Sequence, residues 1–282
     1  MPVNPHVDDA IARHAYNAYI GSEGFHDAAA AHTVSVMQNR PAEGGLPRII
    51  GLWSAPRCRS TAFARMMAER GDYIMLHEPF SHVMNFSESQ VGEQRVRSER
   101  ELIPALWRMA AKQPLFFKDT TDFHYPLLLT RQSFLAGATH TFLIRHPAQA
   151  IASHYAMNPG LQRDEIGFAW LAEIYDAVAE ATGRLPVLVD SDDLVAHPHE
   201  TVRAYCAAVG IPFIAKALSW EPRMEESWRR TGKWHETASQ TSGFVRTGTY
   251  HWPEIKENAL LMSYLDYHLP FYEKLRNAAI KI

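Results

Sequence analysis

The sequence predicts an α/β fold: a central parallel sheet with helices on both faces, in three layers. Two observations carry this. Short apolar runs of strand length recur at Ile49–Trp53, Tyr73–Leu76, Leu115–Phe117, Thr141–Ile144 and Val187–Val189. Strands so uniformly apolar belong inside a sheet covered on both sides. Between them stand segments of helical periodicity: Ser60–Arg70, Glu99–Ala111, Pro126–Leu135, Pro147–Met157 followed by Asp164–Thr182, and His199–Val209. Short strands alternating with helices build parallel β-α-β units, and ligands of such folds sit beyond the carboxyl ends of the strands.

The flanking segments are less regular. Residues 1–47 are rich in Ala and His, carry two short helical patterns and end in the loop "NRPAEGGLP". They read as an N-terminal helical extension before an α/β domain over 48–282. After Phe213 comes an aromatic and basic stretch, then an amphipathic helix from about Ile255 to Leu275. Hydrophobic residues make up 46% of the 282-residue chain, ample for a core.

Charge and cysteine usage narrow the function classes. The 28 basic and 31 acidic residues leave a net charge of -3. No global bias favours nucleic acid or an anionic membrane, so an anion site must come from local clustering. Cys58 and Cys206 cannot make a disulfide framework, which fits a reducing compartment. No apolar run approaches the roughly 20 residues that span a bilayer, and Met1–Asp9 lacks the basic start of a signal peptide. A soluble cytoplasmic protein without nucleic-acid or membrane partners is expected.

Local clustering of cations occurs at two strand-to-helix corners. In "LWSAPRCRSTAFARMM" the chain turns after Trp53 into a helix whose apolar residues are Phe63, Met66 and Met67. The first amides of a helix lack internal partners and carry partial positive charge. Arg57, Arg59, Ser60 and Thr61 add charges and hydroxyls to that end, making an anion socket. An ATP loop would need glycines where Trp53 and Cys58 stand, and its lysine would be Arg59. In "TFLIRHPAQAIASHY" Arg145 ends a strand, Pro147 opens a helix, and Ser153 follows in the second turn. Both corners suit phosphate or sulfate.

Together, "APRCRST" and "LIRHPAQAIAS" resemble the two cofactor signatures of sulfotransferases that use 3'-phosphoadenosine-5'-phosphosulfate (PAPS). The resemblance implies a P-loop-type three-layer fold in which Arg57, Cys58, Arg59, Ser60 and Thr61 hold the 5'-phosphosulfate. It implies Arg145, Pro147 and Ser153 at the 3'-phosphate. "LVDSDDLVAHPHETVRAYCAAVGIPF" is similar to a further family segment, with Ser191 in place of its tyrosine. "FVRTGTYHW" is similar to the basic loop over the 3'-phosphate, which adds Arg246 and Gly248. Arg59 stands where the family usually has glycine, and Ala62 where cytosolic members stack tryptophan on adenine. These departures resemble a bacterial or carbohydrate-type branch.

Sulfuryl transfer needs in-line geometry, charge stabilisation on the leaving phosphate and removal of the acceptor proton. The resemblance implies Arg57 at the bridging oxygen and Lys118 as the lysine of the cytosolic "KTH" motif, with Thr120 at its histidine. Glu78, in "MLHEPF", is the first expected base, because carbohydrate-type and some bacterial members use a glutamate in this region. His124 and Asp119, in "FFKDTTDFH", are the alternatives. No metal is expected: the 15 histidines are scattered, without CxxC or HExxH spacing. The expected acceptor is a small-molecule or sugar hydroxyl. Two rival readings stay open, a kinase-like phosphotransferase with Arg59 in place of the lysine, and a non-catalytic nucleotide- or sulfate-binding protein.

Overall fold

The computed structural model describes residues 46–246 and 255–282. The helices expected in the N-terminal extension, and Gly248, lie outside the described residues. In chain order come β1 (Ile49–Ser54), α1 (Ser60–Arg70), β2 (Ile74–His77), α2 (Pro79–Phe86) and a hairpin of β3 (Ser89–Val91) and β4 (Gln94–Val96). Next are α3 (Glu99–Lys112), β5 (Leu115–Thr120), α4 (Pro126–Thr130), α5 (Gln132–Gly137), β6 (Thr139–Ile144) and α6 (Pro147–Tyr155). They are followed by α7 (Phe168–Thr182), β7 (Val187–Asp190), α8 (Ser191–Ala196), α9 (Pro198–Val209), α10 (Glu236–Ser239) and α11 (Ala259–Ala278). Among the described residues no helix is long and apolar enough to cross a membrane.

The five strands expected from the sequence form one parallel sheet in the order β2-β5-β1-β6-β7. β1 lies at its centre with all six residues buried, paired from Ile49–Leu115 to Ser54–Thr120 on one side and from Ile50–Thr139 to Ser54–Leu143 on the other. Its side chains alternate between two cores. Ile49 and Trp53 pack with α3, α7 and α11, through residues such as Leu106, Ile174 and Leu265. Ile50 and Leu52 pack with α1 and α9, through Phe63, Met67, Val202 and Tyr205. The period-2 alternation of a strand and the stripe of each amphipathic helix are thereby both satisfied.

An aromatic cluster fixes the first core beneath the site. The Trp53 ring lies 5.2 Å from Phe80, 5.4 Å from Phe117 and 5.8 Å from Tyr125. Its Nε1 donates to His140 Nδ1 at 2.9 Å, and His140 Nε2 faces the Phe134 carbonyl at 3.1 Å. His140 must then carry its proton on Nε2, and burial lowers its pKa to about 4, so it stays neutral.

Two local expectations are corrected. The single helix expected over Pro126–Leu135 is split into α4 and α5 at Arg131, whose φ of -91° and ψ of 71° are not helical. The break lets Leu128, Phe134 and Leu135 all reach the core. The β3–β4 hairpin and α2 were not foreseen. α2 starts after Glu78 in the left-handed region (φ 50°), and a distant side chain caps it: Asp119 accepts from Phe80 N at 2.6 Å and Ser81 N at 3.1 Å.

Gly167, at the start of α7, has φ 81°, and a Cβ there would meet the Thr121 carbonyl oxygen at 2.3 Å. The Thr121 hydroxyl donates to the Gly167 carbonyl at 2.8 Å, holding α7 against the end of β5. Gly167→Ala should lower the unfolding free energy by about 3 kcal/mol, combining backbone strain with overpacking. Urea denaturation would measure it.

Candidate functional site

The loop from β1 to α1 is strained at two arginines. Arg57 (φ 66°) and Arg59 (φ 67°) both occupy the left-handed region, which glycine enters freely and other residues at a cost of about 1–2 kcal/mol. The side chain of Arg59 offsets that cost. Its Nη1 donates to Asp192 Oδ1 at 2.6 Å and to Ser191 Oγ at 3.0 Å, both just after β7. A tyrosine in place of Ser191 would not offer the same small hydroxyl, so the two departures seen in the sequence, Arg59 and Ser191, are partners.

The polar chain continues across the sheet edge. Asp192 Oδ2 accepts from Gln149 Nε2 at 3.3 Å, and Gln149 Oε1 from Arg145 Nε at 3.0 Å. Arg145 Nη1 donates to the Arg57 carbonyl at 3.2 Å. Arg57 in turn donates from Nε to Ser153 Oγ at 3.0 Å and from Nη1 to the Trp234 carbonyl at 2.8 Å. The corners after β1 and β6 are thus one hydrogen-bonded unit.

They open on a cavity of about 790 Å³ lined by Arg57, Arg59, Ser60, Thr61, Arg145 and Ser153. Glu78 and Lys118 line it from the ends of β2 and β5, and Lys233, Trp234 and His235 from the 3-10 segment Glu226–Trp234 and the residue after it. The other residues singled out in the sequence lie elsewhere. The Cys58 thiol is buried, and burial raises its pKa to about 12, so it stays protonated. Arg246 is exposed at the border of the described residues. His124 lies 2.8 Å from Glu173 and packs on Trp170, outside the cavity lining. Asp119 is fully buried and occupied with capping α2, which leaves it no face toward a ligand. Of the three expected bases, only Glu78 reaches the cavity.

Glu78 is tied down there. Lys118 Nζ donates to its Oε1, and His77 Nε2 stands 3.6 Å from Oε2. Burial works to raise the Glu78 carboxyl, but the Lys118 ammonium holds it well below the usual carboxylate range. It is a permanent anion and a weak proton acceptor. His77 Nε2 lies 3.1 Å from His235 Nε2, and His235 Nδ1 lies 3.1 Å from Thr61 Oγ1. Burial, with Lys118 beside it, lowers His235 to about 3, and burial drives His77 well below its ordinary value, so both are neutral. The ligand atoms of His77, Glu78 and His235 lie within 4.8 Å of one another, close enough to meet at one ion. The ammonium of Lys118 on the same carboxylate opposes a cation there, whereas the arginines favour an anion.

Sequence reading also missed residues. His235 and Trp234 were not singled out individually, although both stand in the aromatic and basic stretch after Phe213 that the sequence marks. Asp122 lines the cavity with Oδ1 accepting from Thr120 Oγ1 at 2.8 Å, and burial followed by repulsion from Glu78 raises it to about 6. It stood in the quoted "FFKDTTDFH", but no spacing rule picks it out.

The described residues thus form an α/β protein whose parallel sheet carries two joined cationic corners over one cavity. The sequence matches the family model described as "Sulfotransferase domain" over residues 47–279, and the chain belongs to that family. It is 27% identical over 239 residues to "Branched-chain-amino-acid aminotransferase-like protein 2" of Arabidopsis thaliana, a match covering 81% of this chain and 41% of that protein. The chain thus spans about two-fifths of the length of the curated relatives it matches. Among solved structures, it is similar to the sulfotransferase domain from the curacin biosynthetic pathway, with 16% identity, 78% of this chain and 89% of that chain covered, and a TM-score of 0.39. Retinol dehydratase in complex with retinol and PAP is similar at 12% identity, with 79% and 82% covered and a TM-score of 0.40.

Two outcomes follow from the loop and the histidines. Arg59→Gly should be more stable than Arg59→Ala by about 1 kcal/mol, because both lose the ion pair but only alanine keeps the positive-φ strain; urea denaturation compares them. His235, neutral when folded and protonated below about pH 6.5 when unfolded, makes the unfolded state bind more protons as pH falls. Its contribution to stability is therefore lost from pH 6.5 downward toward about 3. Asp119, raised to about 7 by burial, acts with the opposite sign over part of this range. The discriminating measurement is thus a difference: His235→Gln should lose less stability than the parent between pH 6.5 and 4.5.

Proposed function

We propose that this chain transfers a sulfuryl group from PAPS to a hydroxyl of a small-molecule or sugar acceptor, in line and without a metal. The observation that carries the reading is the direct contact of Arg57 with Ser153, which fuses two anion-binding corners into one site. A donor phosphorylated at both ends of its nucleoside fits such a pair of corners better than a triphosphate does. The donor set agrees, because arginines and hydroxyls bind phosphate and sulfate oxygens by charge-assisted hydrogen bonds.

PAPS supplies the activated sulfuryl group. Arg57, with Ser60, Thr61 and the first amides of α1, faces the phosphosulfate and neutralises charge on the leaving phosphate. Arg145 and Ser153 hold the 3'-phosphate, with Arg246 and Gly248 assigned to the same end. Lys118, fixed by Glu78, adds a second positive charge on the transfer side. The cavity volume lies within the roughly 300–1,000 Å³ of small-molecule sites. Two buried free cysteines suit a reducing, cytoplasmic setting.

The test uses adenosine 3',5'-bisphosphate, followed by calorimetry, and PAPS turnover in EDTA against a panel of hydroxyl acceptors. Arg57→Ala should lower turnover by about 100-fold or more while nucleotide affinity changes less. Arg145→Ala should chiefly weaken nucleotide binding. Absence of nucleotide binding by the parent protein would overturn the reading; equal affinity losses with turnover retained at saturation would overturn the roles.

A further inference from the structure

We propose that Asp122, rather than Glu78, is the general base that takes the proton from the acceptor hydroxyl. The inference rests on the sulfuryl-transfer reading and names a residue for its remaining step. The carboxylates lining the cavity are Glu78, Asp122 and Glu165. Glu78 is engaged by Lys118 and flanked by His77. Glu165 lies apart in the short 3-10 turn Asp164–Ile166, where its Oε2 accepts from Gln162 N at 2.7 Å. Asp122 differs from both.

Asp122 follows β5 by two residues, at the ligand edge of the sheet. Thr120 Oγ1 bonds to Oδ1 at 2.8 Å and is itself 3.2 Å from Ser81 Oγ, so the carboxylate is oriented from below. Its own backbone amide also bonds the carboxylate, and no other side chain among the described residues does, while the residue lines the cavity. The charged and titratable groups facing it are Glu78 from the turn before α2, Lys118 on β5, and Tyr125 before α4. Burial and the Glu78 anion raise Asp122 to about 6, whereas the Lys118 contact holds Glu78 far lower. A base works best when its pKa lies near the operating pH. The ion pair therefore does two things: it places Lys118 for the leaving group, and it leaves a fixed negative charge that makes Asp122 more basic.

The step balances. The acceptor oxygen forms its bond to sulfur as its proton passes to Asp122. The bond from sulfur to the bridging oxygen breaks, and the electron pair stays on that oxygen, facing Arg57.

The experiment compares the parent protein, Asp122→Asn, Asp122→Glu and Glu78→Gln. Adenosine 3',5'-bisphosphate binding is read by calorimetry. PAPS turnover is read from pH 5 to 9 with p-nitrophenol, a primary alcohol and glucose, the fastest acceptor being used for the profiles. Asp122→Asn should bind the nucleotide within about threefold of the parent, and turn over about 100-fold more slowly or worse. It should also lose the acid limb that the parent shows near pH 6. The loss should be smaller with p-nitrophenol, which ionises readily, than with the alcohol, and Asp122→Glu should recover part of the rate. Glu78→Gln, which removes the charge that raises Asp122, should move the acid limb to lower pH. An Asp122→Asn enzyme with turnover near the parent's, or one that keeps the parent's acid limb, would overturn the assignment while leaving sulfuryl transfer intact. A parent protein that binds no nucleotide and turns over none of the acceptors would instead remove the sulfuryl-transfer reading, and this assignment with it.

Discussion

The ion pair between Arg59 and Asp192 is the constraint on which the site depends. It pins the loop after β1 to the segment after β7, across two strand positions of the sheet, and it does so from a residue in an unfavourable backbone region. Partly exposed pairs contribute little by themselves. This one matters because the same aspartate holds Gln149, which holds Arg145, which returns to the Arg57 carbonyl. A glycine at position 59 would give a more relaxed loop and a less connected one.

The electrostatics of the cavity divide into two regions. Arg57 and Arg145 donate to carbonyls and a hydroxyl, groups that an incoming phosphate oxygen can replace, whereas Arg59 is paired with the Asp192 carboxylate. Around Glu78 the positive charge of Lys118 is already matched by a buried carboxylate, and two neutral histidines fill the space beside it. The first region is suited to binding, the second to setting the protonation states of its neighbours. Removing one member of a buried pair leaves the other uncompensated and costs about 3–5 kcal/mol. Substitutions at Glu78 or Lys118 therefore act on stability as well as on chemistry.

Much of the fold could be read along the chain because its signals are local. Runs such as Ile49–Trp53 and Val187–Val189 are apolar on both faces, and only a covered parallel strand accommodates that. The hairpin "SESQVGEQRV" has strands of three residues, each with two polar residues before a valine, too short for periodicity to register. Helix α2 escaped because its cap is Asp119, a residue 39 positions away. The site divides in the same manner. Arg57, Ser60, Thr61, Arg145 and Ser153 fall in compact motifs at strand ends. His235 meets Thr61 across 174 positions, and that proximity exists only once the 3-10 segment has folded over the loop. Asp122 gains its character from burial and from Glu78, neither of which has a sequence signature.

Cys58 sits between two arginines beside a helix start, surroundings that ordinarily make a thiolate reactive. Here the side chain points into the interior, and burial outweighs the arginines. Its thiol therefore becomes a built-in gauge of the anion loop. An alkylating reagent can reach the sulfur only when the stretch from Pro56 to Arg59 lifts off the sheet, so the rate of labelling counts openings of the loop, and a bound anion that holds the loop down slows that count.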